Sequence, residues 1–180
     1  MGEENKKALE QQLWNIANEL RGKMDADEFR DYILGFIFYK YLSEKIENFT
    51  NELLKEDAIT FTSLDSNNPE HEEILNSLKD DCLQQLGYFL KPNELFSAMA
   101  KKGNSDNNNF ILDDLTQVLR HIESSTMGTE SEDDFEHLFE DLDLTSTKLG
   151  RTEEAKNKLI AKVLYHLDNI NFELKNHDRD

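Results

Sequence analysis

Helical spacing of apolar residues, hardly interrupted along 180 residues, is the feature that most constrains the fold of this chain. Only two prolines occur, Pro69 and Pro92, and the seven glycines are scattered. A protein made of many short strands needs turn residues every few positions, whereas a helical protein does not. The sequence therefore predicts an all-α fold, a multi-helix orthogonal bundle with at most a very short strand pair.

The clearest single element is a helix predicted over about residues 26–55. Asp25 is a favourable N-cap, and Glu28 completes a capping box. From Ile33 to Leu42 apolar side chains point in nearly every direction, which is typical of a helix buried on all sides. This helix is expected to be the central rod. Gly35 within it predicts the close approach of a neighbouring helix, because glycine costs a helix about 1 kcal/mol.

Other helices are expected to pack around this rod. Residues 57–67 form a predicted loop or short extended piece from which Ile59, Phe61 and Leu64 touch the core. Proline suits the first position of a helix, so Pro69 and Pro92 each mark a helix start. The further helices are predicted over about 5–20, 69–86, 92–101, 111–123, 131–142 and 153–170.

The charge of the chain limits what it can bind on its own. Acidic residues number 38 and basic residues 20, a formal net charge of −18. A free-standing nucleic-acid binder usually has the opposite balance, because its affinity comes largely from cations at phosphates. The chain is therefore not expected to bind DNA tightly as a whole surface, although a few cations can still meet a phosphate. The plainer interpretation is that the acidity serves solubility.

The motifs that mark catalytic and binding sites are missing from the sequence. Cys82 is the one cysteine, so it predicts a small buried residue on a helix instead of a disulfide or cysteine metal site. The stretch from His71 to Leu75 lacks the second histidine of a zinc-protease motif. No Gly-x-Gly pair occurs, which excludes a dinucleotide fingerprint and a P-loop. We therefore predict no catalytic, cofactor-binding or metal residue in this chain.

Nothing in the sequence predicts contact with a membrane. The densest apolar stretch, Tyr32 to Leu42, is shorter than the ~20 residues that cross a bilayer. The first residues lack the cationic and apolar runs of a signal peptide. A cytoplasmic protein is expected.

Three blocks of sequence, in a fixed order, carry a resemblance to a known family. The first comprises Leu13-Trp14-x-Ile16-Ala17-x-x-Leu20-Arg21-Gly22-x-Met24-Asp25-Ala26-x-Glu28-Phe29 and Tyr32-x-Leu34-Gly35-x-Ile37-Phe38-x-Lys40-Tyr41-Leu42-Ser43. The second is Gly87-Tyr88-Phe89-Leu90-x-Pro92. The third is Gly128, Ser131-Glu132-x-Asp134-Phe135 and Leu138-Phe139-x-Asp141-Leu142-Asp143-Leu144-Thr145-Ser146-x-Lys148-Leu149-Gly150. The chain resembles the opening of the modification (methyltransferase, M) subunit of type I restriction-modification systems.

The resemblance implies how the chain relates to a longer protein. In that family a helical domain precedes a Rossmann-like domain, which binds S-adenosylmethionine and methylates the N6 amine of adenine at an Asn-Pro-Pro-Phe/Tyr motif. Here Asn68-Pro69 is followed by Glu70, and no two prolines are adjacent. The resemblance therefore implies that residues 1–180 are a single helical domain, inactive alone, with 175–180 as the start of the linker to the catalytic domain.

The resemblance also implies partners and contact residues. A specificity subunit, a second M subunit and, in the full complex, a restriction subunit assemble with this one. The helical domain would then help to close around duplex DNA while a base is flipped out. Two loops offer cations and hydroxyls suited to phosphate or to a partner. The candidate contact residues are Arg21, Lys23, Ser146, Thr147, Lys148 and Arg151.

The candidate contact residues and the family resemblance also have alternative interpretations. The candidate cations could instead cap helix ends or pair with local acids. Trp14 is expected in the core, and the Lys40 ammonium is expected to reach the surface from apolar surroundings. A competing function is a free-standing acidic interaction protein, such as a DNA mimic in the DNA channel of a restriction enzyme. The net charge of −18 favours the mimic, whereas the ordered sequence blocks favour the M subunit.

Overall fold

The computed structural model describes residues 2–105, 110–126, 139–140 and 142–170. These residues form six α-helices and four short 3-10 helices, with no β-strand among them, which confirms the predicted all-α class. The α-helices are α1 (Gly2–Leu20), α2 (Ala26–Leu54), α3 (Pro69–Gln85), α4 (Phe96–Gly103), α5 (Leu112–Ser125) and α6 (Glu153–Asp168). The 3-10 helices are Lys55–Asp57, Phe61–Ser63, Pro92–Glu94 and Thr147–Leu149.

Helix α2 is the central rod of the bundle, as predicted. The Asp25 side chain accepts from the Glu28 amide at 2.9 Å, and the Glu28 side chain accepts from the Asp25 amide at 3.5 Å, so the capping box is confirmed. Helix α2 contacts α3, α4, α6 and the first two 3-10 helices. Its fully buried stripe includes Phe36, Tyr39 and Ile46. Such a stripe sets the position of every helix that packs on it.

The prediction that α2 is buried on all sides is wrong at one face. Leu34 is 55% exposed, and Trp14, which was expected in the core, is 61% exposed. The reason is the packing of α1, which lies mainly along α6 and has few contacts with α2. Ile16 and Leu20 of α1 are buried, whereas Trp14 lies on a different side of the helix.

The Lys40 side chain also departs from the prediction. It is only 5% exposed and does not reach open solvent. Its ammonium lies 2.6 Å from the Glu44 carboxylate, one turn along α2, and 5.7 Å from the centroid of the Phe96 ring. A buried ammonium needs such a partner, because desolvation of an unpaired charge is costly. The local ion pair therefore replaces the expected extension to the surface.

Two further predictions are adjusted by the structure. The neighbour that approaches Gly35 is Leu142, which lies outside any helix; a Cβ atom at Gly35 would lie 2.6 Å from the Leu142 Cδ1 atom. Pro92 begins a 3-10 helix, and α4 starts only at Phe96, because Leu95 is extended (φ −66°, ψ 151°). The amide of Phe96 donates to the Ser43 hydroxyl at 2.9 Å instead.

Other predicted features are confirmed. Phe61 and Leu64 of the loop after α2 are buried, and Cys82 is fully buried on α3, where burial raises the pKa of its thiol to about 12. Thr152 caps α6 by accepting from the Ala155 amide at 3.1 Å. The helix predicted over 131–142 lies mostly outside the described residues, as does the segment 175–180. Within the described ranges, no helix is both long and apolar enough to cross a membrane.

Glu94 joins three parts of the bundle. Its carboxylate accepts from the Lys91 amide at 2.8 Å and lies 3.2 Å from the His121 ring of α5, and its carbonyl accepts from the Tyr39 hydroxyl at 2.5 Å. Burial opposes its ionisation, but the hydrogen bonds from His121 and Lys91 prevail and lower the pKa of Glu94 below 4.5. The ionised carboxylate therefore stabilises the fold.

We expect Glu94→Gln to lower the free energy of unfolding by about 1–2 kcal/mol near neutral pH. Because the pKa is lower in the folded state, this stabilisation is present above about pH 4.5 and is lost as pH falls through the folded-state value. Urea unfolding gives the free energy of unfolding of the variant and of the parent chain. The difference between the two should be smaller at about pH 3.5 than at neutral pH. Glu52→Gln, an exposed change on α2, is the control. A difference that stays constant with pH would contradict the assignment.

Candidate functional site

The segment 142–150 docks on one stripe at the beginning of α2. Glu28, Tyr32 and Gly35 follow each other at the helical spacing that places them on one face. The Lys148 ammonium lies 2.6 and 2.7 Å from the two carboxylate oxygens of Glu28. The Tyr32 hydroxyl donates to the Asp143 carbonyl, and the Leu142 side chain covers Gly35. The segment is thus held at one end of the central helix.

Hydrogen bonds inside the segment fix its shape. The Asp143 carboxylate accepts from the Thr145 hydroxyl at 2.6 Å and from its amide at 2.9 Å, and these bonds lower the pKa of Asp143. Burial and the Asp143 charge raise the pKa of Tyr32 to about 12, so its hydroxyl remains a donor. Lys156, 7% exposed, donates to the Thr145 carbonyl at 2.9 Å. The segment is therefore anchored at several points.

The turn between α1 and α2 leads into the same end of α2. Arg21 and Lys23 are exposed on either side of Gly22, whose positive φ of 79° is one that glycine adopts readily. The turn continues directly into Asp25, whose pKa is lowered by the Glu28 amide and also by the charge of Lys148. The structure therefore brings the two predicted cationic loops to the same end of α2.

The six candidate contact residues differ in how free their side chains are. The Lys148 ammonium pairs with the Glu28 carboxylate, and this contact raises the pKa of Lys148. For Lys148 the simpler interpretation, that the cation pairs with an acid of the same chain, is therefore correct. Ser146 accepts from the Lys148 amide at 3.2 Å and caps the 3-10 helix. Arg21, Lys23, Thr147 and Arg151 are exposed. Contact of any of the six with DNA or a partner stays a prediction.

Sequence reasoning missed the residues that hold this site together. Glu28 was expected only as a capping residue, whereas Tyr32 and Lys156 had no assigned role. Lys148 and Glu28 lie 120 positions apart, so no local pattern reveals their ion pair. Within the described ranges, no group of three or more His, Cys, Asp or Glu side chains is arranged to hold a metal ion.

Similarity to known proteins extends along most of the chain. The family model described as HsdM N-terminal domain matches residues 9–167. The "Type I restriction enzyme MpnII methylase subunit" of Mycoplasma pneumoniae is 30% identical over 173 residues, which are 93% of this chain and 31% of that protein. The crystal structure of a type I restriction-modification system methyltransferase subunit from Streptococcus thermophilus is 35% identical, with a TM-score of 0.71.

The structural match covers 93% of this chain and 35% of the Streptococcus thermophilus chain. The chain thus spans about a third of the length of the relatives it matches. These matches give no support to the alternative of a free-standing DNA mimic. Because the family model covers most of the sequence, and both relatives agree with it, the chain belongs to the HsdM N-terminal domain family.

Proposed function

We propose that this chain is the N-terminal assembly and DNA-clamping domain of a type I restriction-modification methyltransferase subunit. The longer subunit would transfer the methyl group of S-adenosylmethionine to the N6 amine of adenine in duplex DNA. The observation that carries this proposal is the family match over residues 9–167, supported by relatives whose names identify methylase or methyltransferase subunits. In this proposal residues 1–180 are one domain, and 175–180 begin the linker to the catalytic domain.

In this proposal the helical domain holds the DNA, and a separate domain carries out the methyl transfer. A methyltransferase that acts on a base in a duplex must flip that base out, at a cost of a few kcal/mol, and must hold the DNA meanwhile. The catalytic part and its S-adenosylmethionine are assigned to the region beyond this domain. The specificity subunit, a second M subunit and the restriction subunit are its proposed protein partners.

The geometry at the start of α2 suits a phosphate contact. Arg21, Lys23 and Arg151 are exposed cations near a segment that several hydrogen bonds hold in place. Fixed cations and donors at phosphate oxygens position a protein on a duplex without reading its sequence. Lys148 is proposed to act indirectly, because its bond to Glu28 fastens the segment that presents Thr147 and Arg151.

Experiments on the isolated chain test whether methyl transfer belongs to a different domain. Incubated with labelled S-adenosylmethionine and duplex DNA, it should transfer no methyl group, because the proposed chemistry belongs to another domain. With a net charge of −18 it should bind DNA no more tightly than about micromolar at physiological salt. The full-length subunit with its specificity subunit is the positive control. Methyl transfer by the chain, or sub-micromolar binding in a mobility shift, would refute the proposal.

A further inference from the structure

A buried lysine lies on the first turn of α6, beside the segment 142–150. Lys156 is only 7% exposed, whereas lysine side chains usually extend their ammonium into water. Its ammonium donates to the Thr145 carbonyl at 2.9 Å and lies 3.1 Å from the Glu153 carboxylate. Glu153 belongs to the same turn of α6, and its side chain is 66% exposed. The bond that joins the Lys156 ammonium to another part of the chain is therefore the one to Thr145.

The stability of the bundle does not explain why a charge lies at this position. The residues that follow Lys156 at helical spacing, Leu159, Ile160 and Val163, are all apolar and buried. A buried ion pair often stabilises a fold no more than apolar side chains of similar size, because desolvation offsets the attraction. An ammonium differs from an apolar side chain in that it donates directed hydrogen bonds. The distinctive effect of Lys156 is therefore to fix the position of the Thr145 carbonyl.

Two helices fix the backbone of the segment 142–150 by the same kind of bond. The Tyr32 hydroxyl of α2 donates to the Asp143 carbonyl, and the Lys156 ammonium of α6 donates to the Thr145 carbonyl two residues later. Both acceptors belong to the main chain, so the two bonds hold the path of the backbone whichever side chains it carries. The segment is thus a bridge whose backbone is fixed from both helices.

We propose that Lys156 is a positioning residue for DNA binding, which holds in place the backbone that presents Thr147 and Arg151 to phosphate. This role rests on the proposed function and adds a buried residue to the exposed candidates. Lys156 does not itself meet a phosphate, because its ammonium is buried and bonded to the Thr145 carbonyl. A loop that is already ordered loses less conformational entropy on binding. A bond that orders the loop therefore strengthens binding without touching the DNA.

The first test removes this ammonium from the assembled methyltransferase. Lys156→Met keeps an unbranched side chain of similar length but cannot donate to the Thr145 carbonyl. We expect the KM for DNA to rise about three- to tenfold, with kcat at saturating DNA unchanged. Lys158→Met is the matched control, since it removes an exposed lysine from the same helix and changes the net charge by the same amount. That control should leave the KM for DNA nearly unchanged.

The second test shows whether Lys156 acts through the segment that presents Arg151. Arg151→Gln removes a proposed phosphate contact, so it should raise the KM for DNA and make the slope of log affinity against log salt less steep by about 0.9. The double variant Lys156→Met with Arg151→Gln should have a KM well below the product of the two single effects, because both changes weaken the same contact. Lys156→Met alone should also make the salt slope less steep, which a mere loss of folding stability would not do.

A further variant weakens the same segment from the other helix. Tyr32→Phe keeps the buried ring but removes the hydroxyl that donates to the Asp143 carbonyl. It should raise the KM for DNA in the same direction as Lys156→Met, although it changes no charge. Helix content and thermal midpoints near those of the parent enzyme check that each variant is folded.

Three results would overturn the role of Lys156, and they differ in what they say of the proposed function. If Arg151→Gln weakens DNA binding while Lys156→Met and Tyr32→Phe do not, the proposed function stands and Lys156 has no part in it. If the effects of Lys156→Met and Arg151→Gln multiply in the double variant, Lys156 does not act through the segment. If Arg151→Gln changes neither the KM for DNA nor the salt slope, the proposed phosphate contact itself is wrong.

Discussion

Phe36→Ala is expected to lower the free energy of unfolding by about 3–5 kcal/mol. Phe36 is fully buried on α2, the helix that contacts most of the other elements. Truncation of its ring removes apolar contacts and leaves a cavity that the surrounding helices cannot close completely. Since domains of this size are stable by only about 5–15 kcal/mol, this is a large part of the total.

The matched control lies two positions away on the same helix. Leu34 is 55% exposed, so Leu34→Ala should cost less than about 1 kcal/mol. Urea unfolding followed by circular dichroism gives both free energies. Equal losses for the two variants would mean that α2 is not oriented as described, with Phe36 inward and Leu34 outward.

The second large effect concerns DNA. In the assembled methyltransferase, Arg21→Glu, Lys23→Glu and Arg151→Glu combined should weaken DNA binding about 10- to 100-fold at physiological salt. Each lost phosphate contact should also lower the slope of log affinity against log salt by about 0.9. Lys148 is left intact, because reversing its charge would break the bond to Glu28, which is one of the anchors of the segment 142–150.

A control triple variant separates this effect from a general change of charge. Lys55, Lys79 and Arg120 are exposed cations elsewhere on the bundle, and their reversal to Glu alters the net charge by the same amount. We expect that control to change affinity and salt slope much less. If both triple variants weaken binding equally, the loss reflects the overall field of the domain, and the end of α2 has no special contact with DNA.

Local signals explain why much of the fold was predictable. The capping box of Asp25 and Glu28 and the caps before Pro69 and Glu153 depend on residues a few positions apart, which sequence patterns record directly. The α-helix predicted to start at Pro92 starts only at Phe96, whose amide donates to Ser43, a residue 53 positions away. Proline marks a possible start, but a distant partner decides where regular helix begins.

Tertiary contacts explain why the site was only partly predictable. Arg21, Lys23 and Lys148 could be named as exposed cations of loops, but the ion pair of Lys148 with Glu28 depends on how the last part of the chain packs on α2. Trp14 was misplaced for a similar reason. Helical spacing shows which residues share a face of α1, whereas the partner helix, here α6, determines which face is buried.

One measurement tests most directly whether this domain holds DNA without taking part in the chemistry. Methyl transfer by the assembled enzyme carrying the Arg21, Lys23 and Arg151 charge reversals should show a KM for DNA raised about tenfold or more, with kcat at saturating DNA unchanged. A fall in kcat with an unchanged KM would contradict this account, because it would place these residues in the chemical step.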